Sequence, residues 1–316
     1  MSNAKGQRVI LSLDGGGIRG AATAQFLKRL DESLGGALVN KVDFFAGTST
    51  GSIIALALAC CKKSPADLVT LYNHENGTQI MPMSIWDRTL GLLQPEPKYD
   101  GLGKTQLLQQ NLGGFTLGDT PPGKVAMAVA YDVENRCSLV FKSPAPAHRP
   151  LQVYQVADCS SAAPGYFPTR PIGIGGVTRW LMDGAVIANN PTLCAISEAL
   201  KLWGGQTGDF VVLSVGTGYR TRKINGPDSV KFGMPEWITH DLIGIITDET
   251  VVDYQAKTLM PAGNYLRVNG KMDRASLRHP PNDEMDDTSE VNIEDLQEMG
   301  DAWFEQFGAA AAALIG

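Results

Sequence analysis

Short apolar runs alternate along this chain with longer stretches of helical spacing. Arg8-Val9-Ile10-Leu11-Ser12-Leu13 reads as a strand, followed by a glycine loop and a helix through about Leu34. Val42-Asp43-Phe44-Phe45-Ala46 reads as a second, buried strand, and the Ala- and Leu-rich residues from Ser52 onward have the length of a buried helix. Ser64-Pro65-Ala66-Asp67 carries the cap, the first-turn proline and the acidic residue of a capping box, which starts a helix ending near Gly77. Lys104 to Leu112 forms a short helix. Val125 to Asp132 and Ser138 to Phe141 follow as a hairpin around Glu134-Asn135, and two strands without a helix between them suggest an antiparallel addition to a parallel sheet. Leu151 to Ser161 is helical, a glycine-rich loop runs through Gly176, and Trp180-Leu181-Met182-Asp183 is a short strand. Asn190 caps and Pro191 opens a helix to about Leu202, and Phe210 to Val215 is a buried strand. Met234 to Leu259 carries helical material, Tyr265 to Val268 is a last strand, and Asn292 to Phe307 is a final amphipathic helix. Such alternation predicts an α/β fold of three layers, a mostly parallel sheet with helices on both faces. No linker or repeat interrupts it, so residues 5–316 read as a single domain behind an expression scar and a disordered start at residues 1–4.

Between the second strand and its helix lies Gly47-Thr48-Ser49-Thr50-Gly51. The G-x-S-x-G pattern has a mechanical reading: the serine occupies a strained strand-to-helix turn, and side chains at the flanking positions would crowd the neighbouring backbone. Its hydroxyl would sit over a helix N-terminus, where amide N–H groups and the helix dipole favour developing negative charge. The same five residues also make an ordinary polar turn that caps a helix.

The first strand runs into Asp14-Gly15-Gly16-Gly17-Ile18-Arg19-Gly20, where Gly15, Gly17 and Gly20 satisfy G-x-G-x-x-G. A dinucleotide site would need an acidic residue closing the next strand, but that strand closes on Ala46-Gly47-Thr48-Ser49. The nearby acids Asp31, Glu32 and Asp43 lie in the helix or before the strand. The other use of such a loop is as an oxyanion hole, with the N–H groups of Gly15, Gly16 and Gly17 aimed at an alkoxide. Asp183 ends an apolar strand just before Gly184, which places a carboxylate at the ligand-binding edge of an open α/β sheet; an aspartate there also simply begins turns.

Composition narrows the options. With 43% hydrophobic and 19% charged residues the chain is globular, and a formal charge of −6 opposes nucleic-acid binding and docking on anionic membrane by bulk charge. Five cysteines, two of them adjacent at Cys60-Cys61 on a buried helix, do not make a disulfide framework, and a reducing, cytoplasmic setting is expected. There is no Cys/His cluster of metal spacing, no signal-peptide core and no apolar run of membrane-spanning length, so neither metal nor cofactor is expected.

Three of these stretches together, Asp14 to Gly20, Gly47 to Gly51 and Asp183-Gly184-Ala185, resemble the ordered signature of the patatin-like phospholipases. Ser161-Ala162-Ala163-Pro164, Tyr166-Phe167-Pro168, Ala188-Asn189-Asn190-Pro191 and Ser214-Val215-Gly216-Thr217-Gly218 match as well, so the resemblance spans nearly the whole chain. It implies a patatin-like fold and a lipid acyl hydrolase of phospholipase A type acting on membrane lipids. Ser49 matches the nucleophile, Asp183 the base, Gly15 to Gly17 the oxyanion loop, and Arg19 a supporting loop arginine. Alanine at 185 stands where a second glycine is common.

A carboxylate can activate a serine directly if it lies within about 3 Å of the hydroxyl. The rival is a Ser-Asp-His triad, since His240 and His279 follow Asp183 in α/β-hydrolase order; against it, Ser49 follows only the second strand. A non-catalytic protein that binds lipid or nucleotide on the same scaffold is the remaining alternative. Finally, the long apolar segment from Thr78 to Gly103, with Met81, Met83, Ile85, Trp86, Leu90, Leu92 and Leu93, is expected either to cover the site and meet a lipid surface or to pack inward or against another copy.

Overall fold

The computed structural model describes residues 3, 6–82 and 96–316. Within them eight strands form one sheet: β1 (Arg8–Leu13), β2 (Phe44–Thr48), β3 (Val125–Asp132), β4 (Cys137–Lys142), β5 (Arg170–Ile174), β6 (Val177–Asp183), β7 (Phe210–Val215) and β8 (Tyr265–Val268). The strands β3, β2, β1, β7 and β8 lie side by side and parallel. Buried along almost their full length, β1, β2 and β7 read as unbroken apolar runs because helices cover both of their faces.

Alternate residues divide the core. Val9, Leu11, Leu13 and Phe45 face the helices Gly20–Ser33, Thr50–Cys60, Val153–Ser160 and Glu290–Ile315. Ile10, Phe44, Met127 and Val212 face the helix Thr192–Trp203 and Met260, at the end of the helix Thr250–Leu259. The expected three-layer α/β fold is therefore present.

The antiparallel strands position the site. β4 follows one edge of β3 from Met127 to Asp132, leaving the other edge for β2 and β6. β2 takes that edge as far as Thr48, opposite Val129. β6 takes it from the opposite direction and stops at Asp183, opposite Ala130. The two strands thus run head to head along one backbone, and their C-terminal ends meet. Gly184 makes the sharp exit possible, since a Cβ there would lie 2.4 Å from the Val129 carbonyl oxygen.

Several element boundaries differ from expectation. The glycine-rich loop before residue 176 contains β5, which pairs with β6; its register was hidden because Pro171 and Gly173 break the apolar alternation. The helix expected from Ser64 to Gly77 is two, Pro65–Leu71 and His74–Ile80, because the Asn73 side chain caps a new start. Helical structure enters the Thr78–Gly103 segment from both ends, at Ile80 and Leu102. Met81 packs inward against Tyr99 and Phe167, while Met83, Ile85, Trp86, Leu90, Leu92 and Leu93 lie outside the described residues. Residues 234–259 form three short helices, and the last helix runs on to Ile315 because Ala311 and Ile315 are buried.

Candidate active site

The chain leaves β2 through Ser49, whose φ of 54° and ψ of −125° lie where residues with a side chain are rarely found. Neighbours hold it there. The Ser49 N–H donates to Ser160 Oγ (3.2 Å), and its carbonyl accepts from Ser52 Oγ (2.6 Å) and from the Ser52 N–H (2.9 Å). The flanking glycines are a packing requirement: a Cβ on Gly47 would lie 2.1 Å from the Gly51 oxygen, and one on Gly51 would lie 2.2 Å from the Leu13 oxygen. The helix Thr50–Cys60 begins at this turn, with its positive end at Ser49.

Ser49 Oγ donates to Asp183 Oδ2 across 2.6 Å. The other carboxylate oxygen accepts the Ala185 N–H at 2.8 Å, which fixes the rotation of the group and aims Oδ2 at the serine. Asp183 is 1% exposed. Burial pushes its pKa up to about 6, opposed by the Ser49 hydroxyl, the Ala185 N–H and the Lys104 charge. Such a group is ionised at neutral pH yet basic enough to accept a proton.

The glycine loop packs on this turn, a Cβ on Gly15 falling 3.1 Å from Ser49 Cβ. Its donors differ from expectation. The Gly15 N–H is committed to the Asn189 carbonyl at 3.1 Å, so it does not serve a ligand, whereas the Gly16 and Gly17 N–H groups have no acceptor among the described residues. Both peptide planes are pinned from behind. Thr217 Oγ1 donates to the Gly15 oxygen (2.9 Å) and Arg19 Nε to the Gly16 oxygen (3.2 Å). In a trans peptide the N–H points opposite to the C=O, so these bonds orient the Gly16 and Gly17 donors in turn. Arg19 also donates to the Gly218 oxygen, and burial lowers its pKa. The side chain of this expected supporting arginine thus bonds backbone oxygens, of the loop itself and of Gly218.

Two buried charge networks support the site. Lys104 pairs with Asp158 at 3.1 Å and donates to the Ser161 carbonyl at 2.8 Å. On either side of Ser161, Ser160 accepts the Ser49 N–H and the Ala162 carbonyl accepts the Asp183 N–H at 3.0 Å. One short segment thus touches both members of the pair, with a lysine anchoring its middle. On the other side Arg267 joins Asp14 and Glu249, and Glu249 accepts from the Asn189 side chain at 2.6 Å. Burial raises the Asp14 carboxyl well above the usual range, with Arg267 pulling it down. Lys104, Ser160, Arg267 and Glu249 were not singled out from sequence; Asn189, Thr217 and Ser161 fell within recognised stretches, with no role attached.

A cleft of about 1260 Å3, counted to its open mouth, lies above the pair. Its described lining joins Ser49, Asp183, Gly15 to Gly17 and Arg19 to apolar side chains, among them Ile53, Leu107, Met81 and Ile243. Neither candidate histidine is part of it. His240 is exposed, bonded to the Glu236 carbonyl and stacked on Phe232, while His279 is exposed and paired with Glu298 at 2.8 Å. Asp295 completes a surface group with them whose ligand atoms lie within 4.8 Å of one another. A Ser-Asp-His triad is thus not assembled.

A family model described as patatin-like phospholipase matches residues 11–196, a span holding Ser49, Asp183 and the glycine loop. The chain belongs to the patatin-like phospholipase family. Patatin-like protein 2 of Oryza sativa is 29% identical over 340 residues, covering 92% of this chain and 82% of the relative. The cGAMP-activated phospholipase of Pseudomonas aeruginosa is 29% identical over 272 residues, covering 83% and 78%. The crystal structure of VipD from Legionella pneumophila aligns with 95% of this chain and 67% of its own, at 14% identity and a TM-score of 0.47. Membership in the patatin-like phospholipases supports lipid acyl hydrolase activity in general.

Proposed function

We propose that this patatin-like protein is a phospholipase A-type hydrolase that cleaves fatty-acyl esters of membrane lipids with a Ser49–Asp183 pair. The observation that carries the proposal is the 2.6 Å contact between the serine hydroxyl and a buried carboxylate at the floor of an apolar cleft. Ser49 Oγ attacks the ester carbonyl while Asp183 Oδ2 takes its proton. The resulting alkoxide lies among the Gly16 and Gly17 N–H groups and the helix N-terminus. Collapse expels the lyso-lipid alkoxide, which recovers the proton from Asp183, and the acyl group stays on Ser49. Water, deprotonated by Asp183, then attacks the acyl ester and releases the fatty acid, returning the proton to Ser49.

Incubating purified protein with a panel of glycerolipids and identifying the products by mass spectrometry tests this reading. Release of free fatty acid with the matching lyso-lipid is expected. Ser49→Ala and Asp183→Asn should each reduce it by 10³-fold or more, roughly, and the double variant should be scarcely worse, because the two groups act as one unit. Full activity in either folded single variant would refute the assignment. Because one relative bears the name cGAMP-activated phospholipase, a cyclic dinucleotide is the first effector to add. The five unpaired cysteines favour a cytoplasmic setting for the reaction.

A further inference from the structure

From Tyr219 to Gln255 no residue is fully buried, although the stretch includes the helices Gly226–Ser229, Met234–Thr239 and Leu242–Ile246 and the start of Thr250–Leu259. Helices this short are marginal in water without an apolar face packed on something. Here many of the apolar side chains point outward instead. Val230 is 86% exposed, Met234 66%, Ile246 56% and Val251 61%, with Ile245 and Tyr254 also exposed. Phe232 stacks on Trp237, edge to face at 5.3 Å, and on His240. An apolar surface of this extent marks an interaction site.

Its position identifies the partner. Ile243 and Thr247 line the cleft above Ser49, while Ile245 and Ile246, between them in sequence, face solvent. The Thr247 carbonyl and Glu249 accept from the Asn189 side chain, and the Asn189 backbone carbonyl accepts the Gly15 N–H, so the segment is linked through Asn189 to the glycine loop. The exposed Ile245 and Ile246 therefore share a helix with a residue of the cleft wall, and the helix Met234–Thr239 packs against that same helix. A fatty-acyl chain leaving an aggregate for Ser49 would cross water unless its source were seated on that rim, at a cost that grows with every methylene exposed.

We infer that residues 230–254 form the surface by which this protein docks on lipid aggregates, inserting Met234, Ile245, Ile246 and Val251 beside the cleft mouth. This rests on the hydrolase reading of the site and adds where the substrate is delivered. Docking is by apolar insertion, so it should hold on neutral bilayers at high salt.

The test compares the full chain with the triple variant Met234→Ser, Ile245→Ser, Ile246→Ser, and with Leu202→Ser as a control. Leu202 is also exposed but lies beside Trp203, which packs under Arg8 at the far end of β1. Binding is read in a Ser49→Ala background by flotation with neutral phosphatidylcholine vesicles, and turnover on both vesicles and a short soluble ester. The triple variant should bind and hydrolyse vesicles at least about tenfold less well. It should keep soluble-ester turnover within about twofold, with an unchanged melting midpoint, and the control should match wild type. Unchanged vesicle binding or equal losses on both substrates would overturn the proposal. A wild-type dimer in light scattering that the triple variant dissociates would do the same, identifying the surface as a contact between copies. Soluble-ester turnover without vesicle binding refutes the docking surface alone, and vesicle binding without turnover on any ester refutes the hydrolase reading alone.

Discussion

Asp183 has to be a carboxylate to take a proton from Ser49, yet it sits where charge is costly. Its folded-state pKa of about 6 stands above the ordinary 3.8. The penalty is therefore absent below the unfolded value and fully present once pH has risen through 6, where it amounts to roughly 3 kcal/mol. Two consequences follow. The acidic limb of kcat/KM should rise with a midpoint near pH 6 and level off above it, measured with a soluble ester. Asp183→Asn should melt higher than wild type at pH 7.5, and the difference should shrink as pH falls below 6; a lower melting midpoint for the variant at pH 7.5 would contradict the burial argument. Lys104 moderates the penalty by placing a buried cation in the field of Asp183. Sequence could not reveal that role. Lys104 lies in the first turn of the helix Leu102–Leu112, 79 positions before Asp183, and is held by Asp158 and the Ser161 carbonyl.

At the scale of elements, the turn from β2 into the helix Thr50–Cys60 is the most constrained piece of backbone in the site. The Cβ absent from Gly51 would meet main-chain oxygens of Leu13 and Asp14, which cannot move without displacing β1. Gly51→Ala should cost roughly 3 kcal/mol or more in urea unfolding, whereas Gly173→Ala, with open space around it, should be close to neutral. A loss below about 1 kcal/mol for Gly51→Ala would mean that the turn relaxes. Such constraints explain why the serine turn, the glycine loop and the strand-end aspartate were visible in the sequence: each demands particular residue types in consecutive positions. The supporting bonds carried no comparable mark. Ser160, Arg267 and Glu249 are unremarkable locally, and their partners lie on distant elements. The β5–β6 hairpin was half seen, because the exposure of Val177 and Trp180 blurs the alternation that announces a strand.

Across the whole molecule, the positions of the buried strands along the chain and the three-layer arrangement followed from apolar runs, whereas the exposure of residues 219–255 did not. Their helical spacing is real, but an apolar face without a partner in the chain looks in sequence the same as one with a partner. The meeting of β2 and β6 carries a different lesson. Ser49 and Asp183 are 134 residues apart, and the strands that deliver them are aligned by consecutive residues of β3, Val129 for one and Ala130 for the other. That third strand works as a ruler: it sets the gap between two groups to which it contributes no side chain, at about 3.3 Å per residue. One alanine inserted after Val129 should open the gap and lower ester turnover by roughly 100-fold or more in a protein that still melts cooperatively. Three residues added at the Gly175-Gly176 turn should leave turnover within about twofold. Chain length between the two groups is thus free to drift over generations, while the length of β3 is not.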